Sequence, residues 1–293
     1  MNVSPGTIDE NLSRWLGTDV VIEEVLSVRD DATRLVSTQG RRYCHKVAGH
    51  DAGSPRDVAS LLRERDTLSA LALHGARIAP SSFAFQERAD GADLLVEWTD
   101  GQSLGSMLRP VLAEGADPSL IGRVWAAALD ALAELHRTNL VHGDIQPGHL
   151  RFGQDDGQHL PVTVVDYGCA DQPGAGYDGG LIHFMHPEVA RVVSTGVSTE
   201  LVPGVDLHAL IASFLLVLTG QPLYAFDPDE PPSTERRHWR LATVAEGTFV
   251  NSPARADAAQ EHTQRLFDAL QPRLGDYALE DLRAVLDSSR AAH

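Results

Sequence analysis

Two stretches of the chain bring chemically useful side chains into positions where a fold could present them. Val141-His142-Gly143-Asp144-Ile145-Gln146-Pro147-Gly148-His149 and Val164-Val165-Asp166-Tyr167-Gly168 each run from an apolar, strand-like segment into a carboxylate and then into Gly or Pro. Strands that end in this way can hold two acidic groups at the mouth of a cleft. A single His-x-Asp is weak support for any chemistry, and the reading has to hold elsewhere in the chain.

The first stretch resembles the catalytic loop of the protein kinases and related phosphotransferases, His-Arg/Gly-Asp followed five residues after the Asp by a metal-binding Asn. The second resembles their Asp-Phe-Gly. Gly180-Leu181-Ile182-His183-Phe184-Met185-His186-Pro187-Glu188 matches, with three substitutions, the Gly-Thr-x-x-Tyr-Met-Ala-Pro-Glu that closes a protein kinase's activation segment. Eighteen residues beyond Glu188, Asp206-Leu207-His208-Ala209-Leu210 runs into Leu218-Thr219-Gly220-Gln221-Pro222 and resembles the buried central helix of the large lobe. The likeness extends from about Val20 to the end, and its Pro-Glu box favours the protein-kinase branch over the antibiotic phosphotransferases that share His-Gly-Asp. It implies an α+β, bilobal protein-kinase-like fold: a small antiparallel β-rich N-lobe with one main helix, and a larger, mostly helical C-lobe. The expected division is a leader over 1–18, the N-lobe over 19–100 and the C-lobe over 101–293.

The elements that must position these residues follow from pattern. Val20 to Leu26 and Arg34 to Thr38 read as paired strands rich in β-branched residues, and Arg41 to Val47 as a third. Lys46, on the third, stands where the family's nucleotide lysine belongs. Taken alone it would be a solvated strand residue. Its expected partner is Glu64, on an amphipathic helix opened by Ser54 and Pro55 and ending near Gly75. Glu64 could instead be a surface acid in Arg63-Glu64-Arg65-Asp66; if paired, it would hold Lys46 against the α- and β-phosphates of ATP. Strands around Ser82 to Gln86 and Asp93 to Trp98 lead into Val96-Glu97-Trp98-Thr99-Asp100-Gly101. That run resembles the interlobe hinge, where main-chain groups of Glu97 and Thr99 would meet the adenine edge. Helices are expected over Ser103 to Leu112, Ser119 to Thr138, Asp206 to Thr219, Thr234 to Val244, Asp257 to Leu270 and Ala278 to Ser288.

By the resemblance, Asp144 would orient the attacking hydroxyl and Asp166 would hold Mg²⁺. His142 and His136 read as structural, and Asp206 as a cap on catalytic-loop amides. Departures from the family pattern accompany these matches. No glycine lies between Gly17 and Gly40, so the connection Ser27 to Thr33, carrying Asp30 and Asp31, cannot be a glycine-rich phosphate clamp. His149 replaces the metal-binding Asn; its imidazole can ligate a divalent ion, although Mg²⁺ prefers oxygen. Gln146 replaces the lysine near the γ-phosphate, Leu181 a threonine that bridges to the catalytic Asp, and Arg151 an apolar residue of the adenine pocket. Gly143 replaces the Arg that clasps a phosphorylated loop, and between Asp166 and Glu188 there is no Ser or Thr, only Tyr167 and Tyr177. Cys169 reads as a small buried hydrophobe.

Composition limits the remaining classes. A chain of 293 residues with 43% hydrophobic residues can bury two lobes. A net charge of −17, from 24 basic against 41 acidic residues, argues against a nucleic-acid partner. Two cysteines and a start without an apolar h-region point to the cytoplasm, and the longest apolar tract, Leu207 to Leu218, is too short to span a membrane. Three functions stay open: an ATP- and Mg²⁺-dependent kinase acting on Ser or Thr of a protein or peptide, a pseudokinase serving as a binding or scaffold module, and a small-molecule kinase. Within the first, bacterial kinases that phosphorylate natural-product precursor peptides before elimination resemble this chain in lacking a regulatory loop.

Overall fold

The computed structural model describes residues 6, 8–26, 33–49, 57–114, 119–157, 159–220, 222–224, 226 and 233–245. The connection 27–32, Ser54 with Pro55, most of the acidic loop after Gly220 and the two helices expected beyond residue 256 lie outside the described residues. The rest falls into two compact units: residues up to Asp100 with Thr163–Ala170, and Gly101–Val162 with residues from Asp171. The fold is α+β and protein-kinase-like, a five-stranded antiparallel sheet with one main helix in the first unit and a mostly helical second unit.

In the first unit β1 (Val21–Val25), β2 (Thr33–Thr38), β3 (Arg41–Gly49), β4 (Phe83–Arg88) and β5 (Gly91–Glu97) form a sheet of order β1-β2-β3-β5-β4. Side chains alternate between its faces, and both are covered. One face carries Ile22, Val36, Tyr43 and Leu95, which pack with Leu12, Trp15 and Leu16 of α1 (Glu10–Leu16). The segment expected as a polar leader is therefore a helix with both ends capped. The Asp9 carboxylate accepts from the Leu12 amide at 2.9 Å, and Gly17 closes it in the left-handed conformation. The register Lys46↔Leu94 puts Lys46 on the opposite face, which α2 (Val58–Leu73) covers. On α2 the buried Leu61, Glu64, Leu68 and Leu71 recur every three or four residues, one helical stripe. Its N-cap is Asp57, whose carboxylate accepts from the Ser60 amide at 2.6 Å, so the described helix opens later than the expected Ser54-Pro55.

The second unit opens with β6 (Gln102–Ser103), α3 (Leu104–Glu114) and α4 (Ser119–Arg137), followed by the loop bearing Asp144 and by β7 (Leu150–Phe152), antiparallel to β6. At β8 (Val162–Val164) the chain passes to the first unit. It returns through β9 (Gly176–Tyr177), α5 (Pro187–Val193), β10 (Thr199–Glu200), α6 (Pro203–Thr219) and α7 (Ser233–Ala245). From Val205 to Leu215 nearly every α6 side chain is buried, as a central helix requires, and Phe214 meets Trp125 of α4 edge-on at 4.8 Å. The helix starts three residues before the expected Asp206 because Pro203, preset for helical φ, occupies its first turn. A core of Val141, Tyr177, Met185, Val189, Leu201, Val205, Tyr224 and Leu241 joins the segment that leads into the Asp144 loop to the residues from β9 onward.

Candidate functional site

In the first unit, Lys46, Glu64 and Asp166 converge. Lys46 Nζ donates to both Glu64 oxygens, at 2.6 and 2.8 Å, and to Asp166 Oδ1 at 2.6 Å. The lysine and glutamate side chains are 6% and 2% exposed, while Asp166 keeps 35%. An ammonium taken out of water in this way needs nearby counter-charge, and it has two carboxylates. Asp166 follows β8 in a left-handed conformation, φ 67°, which Asp tolerates better than most residues, and a 3₁₀ turn over Tyr167–Cys169 comes next. That turn is gripped by α2: the Gly168 carbonyl accepts from Ser60 Oγ at 3.3 Å and from Arg63 Nε at 3.2 Å. A Cβ at Gly168 would lie 2.6 Å from Ser60 Oγ, so glycine is required for this approach. The sequence singled out Glu64 on this helix but missed Ser60 and Arg63. Ser60 lies four residues before Glu64 and three before Arg63, one helical turn from each, and that spacing was the available signal.

Glu97 and Thr99 stand where β5 ends. The Glu97 amide donates to the Ser82 carbonyl at 2.9 Å and the Trp98 amide to the Arg42 carbonyl at 2.8 Å; Thr99 follows outside the ladder. The Glu97 carboxylate accepts from Ser81 and Ser82, at 2.6 and 2.7 Å, and these bonds hold its pKa below the usual carboxylate range.

In the second unit the Asp144 loop hangs on Asp206, which is fully buried. Its carboxylate accepts from the amides of His142 and Gly143, both at 2.8 Å, and lies 2.9 Å from His136 Nε2. The Asp144 amide donates to His142 Nδ1 at 3.2 Å, which fixes the proton of that buried ring on Nε2. Asp144 Oδ1 accepts from the Leu181 amide at 2.7 Å and Oδ2 from Gln146 Nε2 at 3.2 Å. His149 Nδ1 lies 2.8 Å from the Asp144 carbonyl oxygen. A carbonyl only accepts, so Nδ1 carries the proton and Nε2 is the basic nitrogen of the ring. Asp144, Gln146 and His149 are thus one bonded group.

Two departures from the family pattern are accounted for, and one expectation, that for Cys169, is corrected. The loss of a threonine at Leu181 does not cost the bridge to Asp144, because the main-chain amide of the same residue makes it. Arg151 lies in β7 opposite Ser103 and is partly exposed, so its charge need not be sealed in apolar surroundings. Cys169 is partly exposed rather than buried. Sequence reasoning treated Tyr177 only as a modifiable hydroxyl; it is buried, its OH donates to the Gly143 carbonyl, and that oxygen accepts from the Gly180 amide at 2.7 Å.

Among the described residues, no group of three or more His, Cys, Asp or Glu side chains could hold a metal ion by itself. Phosphotransferases hold Mg²⁺ by one or two carboxylates, with the rest of its shell from phosphate and water. Asp166 fits that task, since a carboxylate has lone pairs enough to meet both Lys46 and a cation. Among the described residues no helix is long and apolar enough to cross a membrane.

No family model matches the chain. It is similar to the serine/threonine-protein kinase Pkn1 of Myxococcus xanthus, 30% identical over 135 residues, 44% of this chain and 18% of that protein. It is 23% identical over 270 residues to the serine/threonine-protein kinases drp72 of Corynebacterium efficiens, covering 87% of this chain and 49% of the relative. With the serine/threonine-protein kinase pkn3 of Myxococcus xanthus it shares 27% identity over 241 residues, 73% of this chain and 41% of the other. The match spans less than half the length of each of these curated relatives.

Proposed function

We propose that this chain, a member of the protein-kinase-like superfamily, transfers the γ-phosphoryl group of ATP to a Ser or Thr hydroxyl of a protein or peptide. The observation that carries the reading is the buried Lys46 held between Glu64 and Asp166. A surface lysine has no reason to accept that desolvation, whereas a lysine that must meet phosphates needs a fixed position. Lys46 binds the α- and β-phosphates, and Glu64 keeps it aimed. Asp166 and His149 are the residues that would hold the divalent ion, which when bound offsets phosphate charge. Asp144 orients the acceptor hydroxyl and takes up its proton, and Gln146 steadies the Asp144 carboxylate. The main-chain groups of Glu97 and Thr99 meet the adenine edge. The lobe boundary belongs at about residue 101.

Incubation of the protein with ATP, Mg²⁺ and candidate substrates, natural-product precursor peptides among them, followed by mass spectrometry, tests this. A phosphate increment on Ser or Thr is expected. An increment only on a small molecule would move the assignment to a small-molecule kinase, and nucleotide binding without any increment would make the chain a binding module. The nitrogen donor of His149 suits Mn²⁺ better than Mg²⁺. The variant His149→Asn is accordingly expected to shift activity toward Mg²⁺, read as the ratio of rates in the two metals.

A further inference from the structure

We infer that Tyr177 is the positioning residue of the activation segment, a built-in latch doing without phosphate what a phosphorylated loop does elsewhere. The inference rests on the proposed kinase reading for its catalytic consequence, and on geometry alone for the latch.

The Tyr177 hydroxyl uses both of its capacities on groups flanking Asp144. It donates to the Gly143 carbonyl, immediately before the catalytic carboxylate, and accepts from the Gly180 amide, immediately before Leu181. The next amide, that of Leu181, donates to Asp144 Oδ1. One phenol thus ties the loop to the segment at the two main-chain positions adjoining the Asp144–Leu181 bond. Its ring is anchored in the core with Met185, Val189 and Leu201, and its backbone pairs with Thr199 across β9 and β10. The approach leaves no room for a side chain at the contact: a Cβ on Gly180 would come within 2.5 Å of both Asp144 Oδ1 and the Gly143 carbonyl oxygen. Gly143, with φ 76°, supplies the turn that aims its carbonyl at the phenol and has no guanidinium with which to clasp phosphate. The absent arginine and the bonded tyrosine are two sides of one arrangement.

Tyr177 acts through Leu181 and Asp144; it does not touch the reacting atoms. Removing its oxygen while keeping its ring should loosen the Asp144–Leu181 bond and leave nucleotide contacts, which belong to other residues, as they were. Amide hydrogen exchange at Gly180 and Leu181 in Tyr177→Phe, compared with the wild type under identical conditions, reads the latch directly. Exchange about tenfold faster at both amides, with the β9–β10 pair unchanged, is expected. Wild-type exchange at both would overturn the inference.

With a substrate in hand, kcat should fall about tenfold in Tyr177→Phe while KM for ATP is unchanged; an unaltered kcat would also overturn it. The variant Gly180→Ala keeps the phenol but inserts a methyl at the contact, and should show the same faster exchange at Leu181. If the wild-type protein transfers no phosphate to anything, the kinase reading falls and the exchange comparison still decides the latch.

Discussion

The two groups of candidate residues, one in each unit, are held by different forces. Around Lys46 the work is done by charge: an ammonium and two carboxylates, with side chains of Ser60 and Arg63 bracing the turn after Asp166. Around Asp144 the main chain does most of it. The amides of His142 and Gly143 go to Asp206, the Leu181 amide goes to Asp144, and the carbonyls of Gly143 and Asp144 take bonds from Tyr177 and His149. Charge-held geometry needs particular side chains. Main-chain geometry needs only that the backbone arrive, so side chains along it can change while positions persist. This accounts for the distribution of departures. Lys46, Glu64 and Asp166 match the family pattern, whereas Gly143, Gln146 and His149 in the Asp144 loop, and Leu181 bonded to it, all depart from it, and the loop still presents its carboxylate.

The largest effects should come from the one carboxylate in each group to which the proposed mechanism gives a direct role. Asp144→Ala and Asp166→Ala are each expected to lower turnover by about 10²–10⁴-fold, measured as phosphate transferred per enzyme. Both should remain folded, since Lys46 keeps Glu64 when Asp166 is lost, and circular dichroism would verify it. Wild-type turnover in either folded variant would remove that residue from the mechanism. The charge-held half has its own signature in nucleotide binding. At a ligand concentration about a hundred times Kd, ATP with Mg²⁺ should stabilise the fold by about 2.7 kcal/mol, seen as a rise in melting temperature. In Lys46→Ala that rise should shrink strongly.

The unequal legibility of the two halves has the same origin. Side-chain chemistry is written in sequence, so Lys46, Glu64, Asp144, Asp166 and Asp206 could be named by their match to the motifs of the family the chain resembles. Main-chain bonds are not. Leu181 reads as a lost threonine, and nothing in its identity tells that its amide replaces the missing hydroxyl. Tyr177 reads only as a modifiable hydroxyl because its burial depends on Met185, Val189 and Leu201 closing over it. Among elements, the central helix and the strands were legible from long apolar runs and β-branched alternation. The start of α2 was not, since Asp57 and Ser54 are both good caps and the choice lies with tertiary contacts. The seven-residue α1 was missed because its apolar positions are too few to set a period.

A smaller effect sits in the core of the second unit. His208 of α6 is buried beside His186, with Nε2 3.1 Å from the Tyr224 hydroxyl. Burial, with the neighbouring His186 adding to it, pushes its pKa from 6.5 down to about 3; burial lowers that of His186 as well and raises that of Tyr224. The unfolded chain therefore binds protons that the folded one refuses. Stability is fully present above about pH 6.5 and is lost as pH falls toward the folded value, at about 1.4 kcal/mol per pH unit for one such histidine. Urea midpoints between about pH 6.5 and 5, above the main carboxylate range, follow His208 and His186 together. His208→Gln, neutral throughout, should flatten the slope; an unchanged slope would assign the proton uptake to other groups.

The smallest expected effect is none, and it tests the main-chain half most directly. A kinase switched by phosphorylation of its activation segment needs a hydroxyl to carry the phosphate and a cation to receive it, because the gain comes from new charge-assisted bonds. From Asp166 to Glu188 the sequence offers no Ser or Thr, and Gly143 offers no guanidinium. Tyr167 and Tyr177 are buried, and the Tyr177 oxygen is already shared between Gly143 and Gly180. A phosphate there would have to break both bonds and enter a core of Met185, Val189 and Leu201, at a cost in desolvation. Phosphatase-treated and untreated protein should therefore transfer phosphate at the same rate. A substantial loss after treatment would mean that the segment depends on added charge after all, and that its main-chain bonds are not sufficient to hold it.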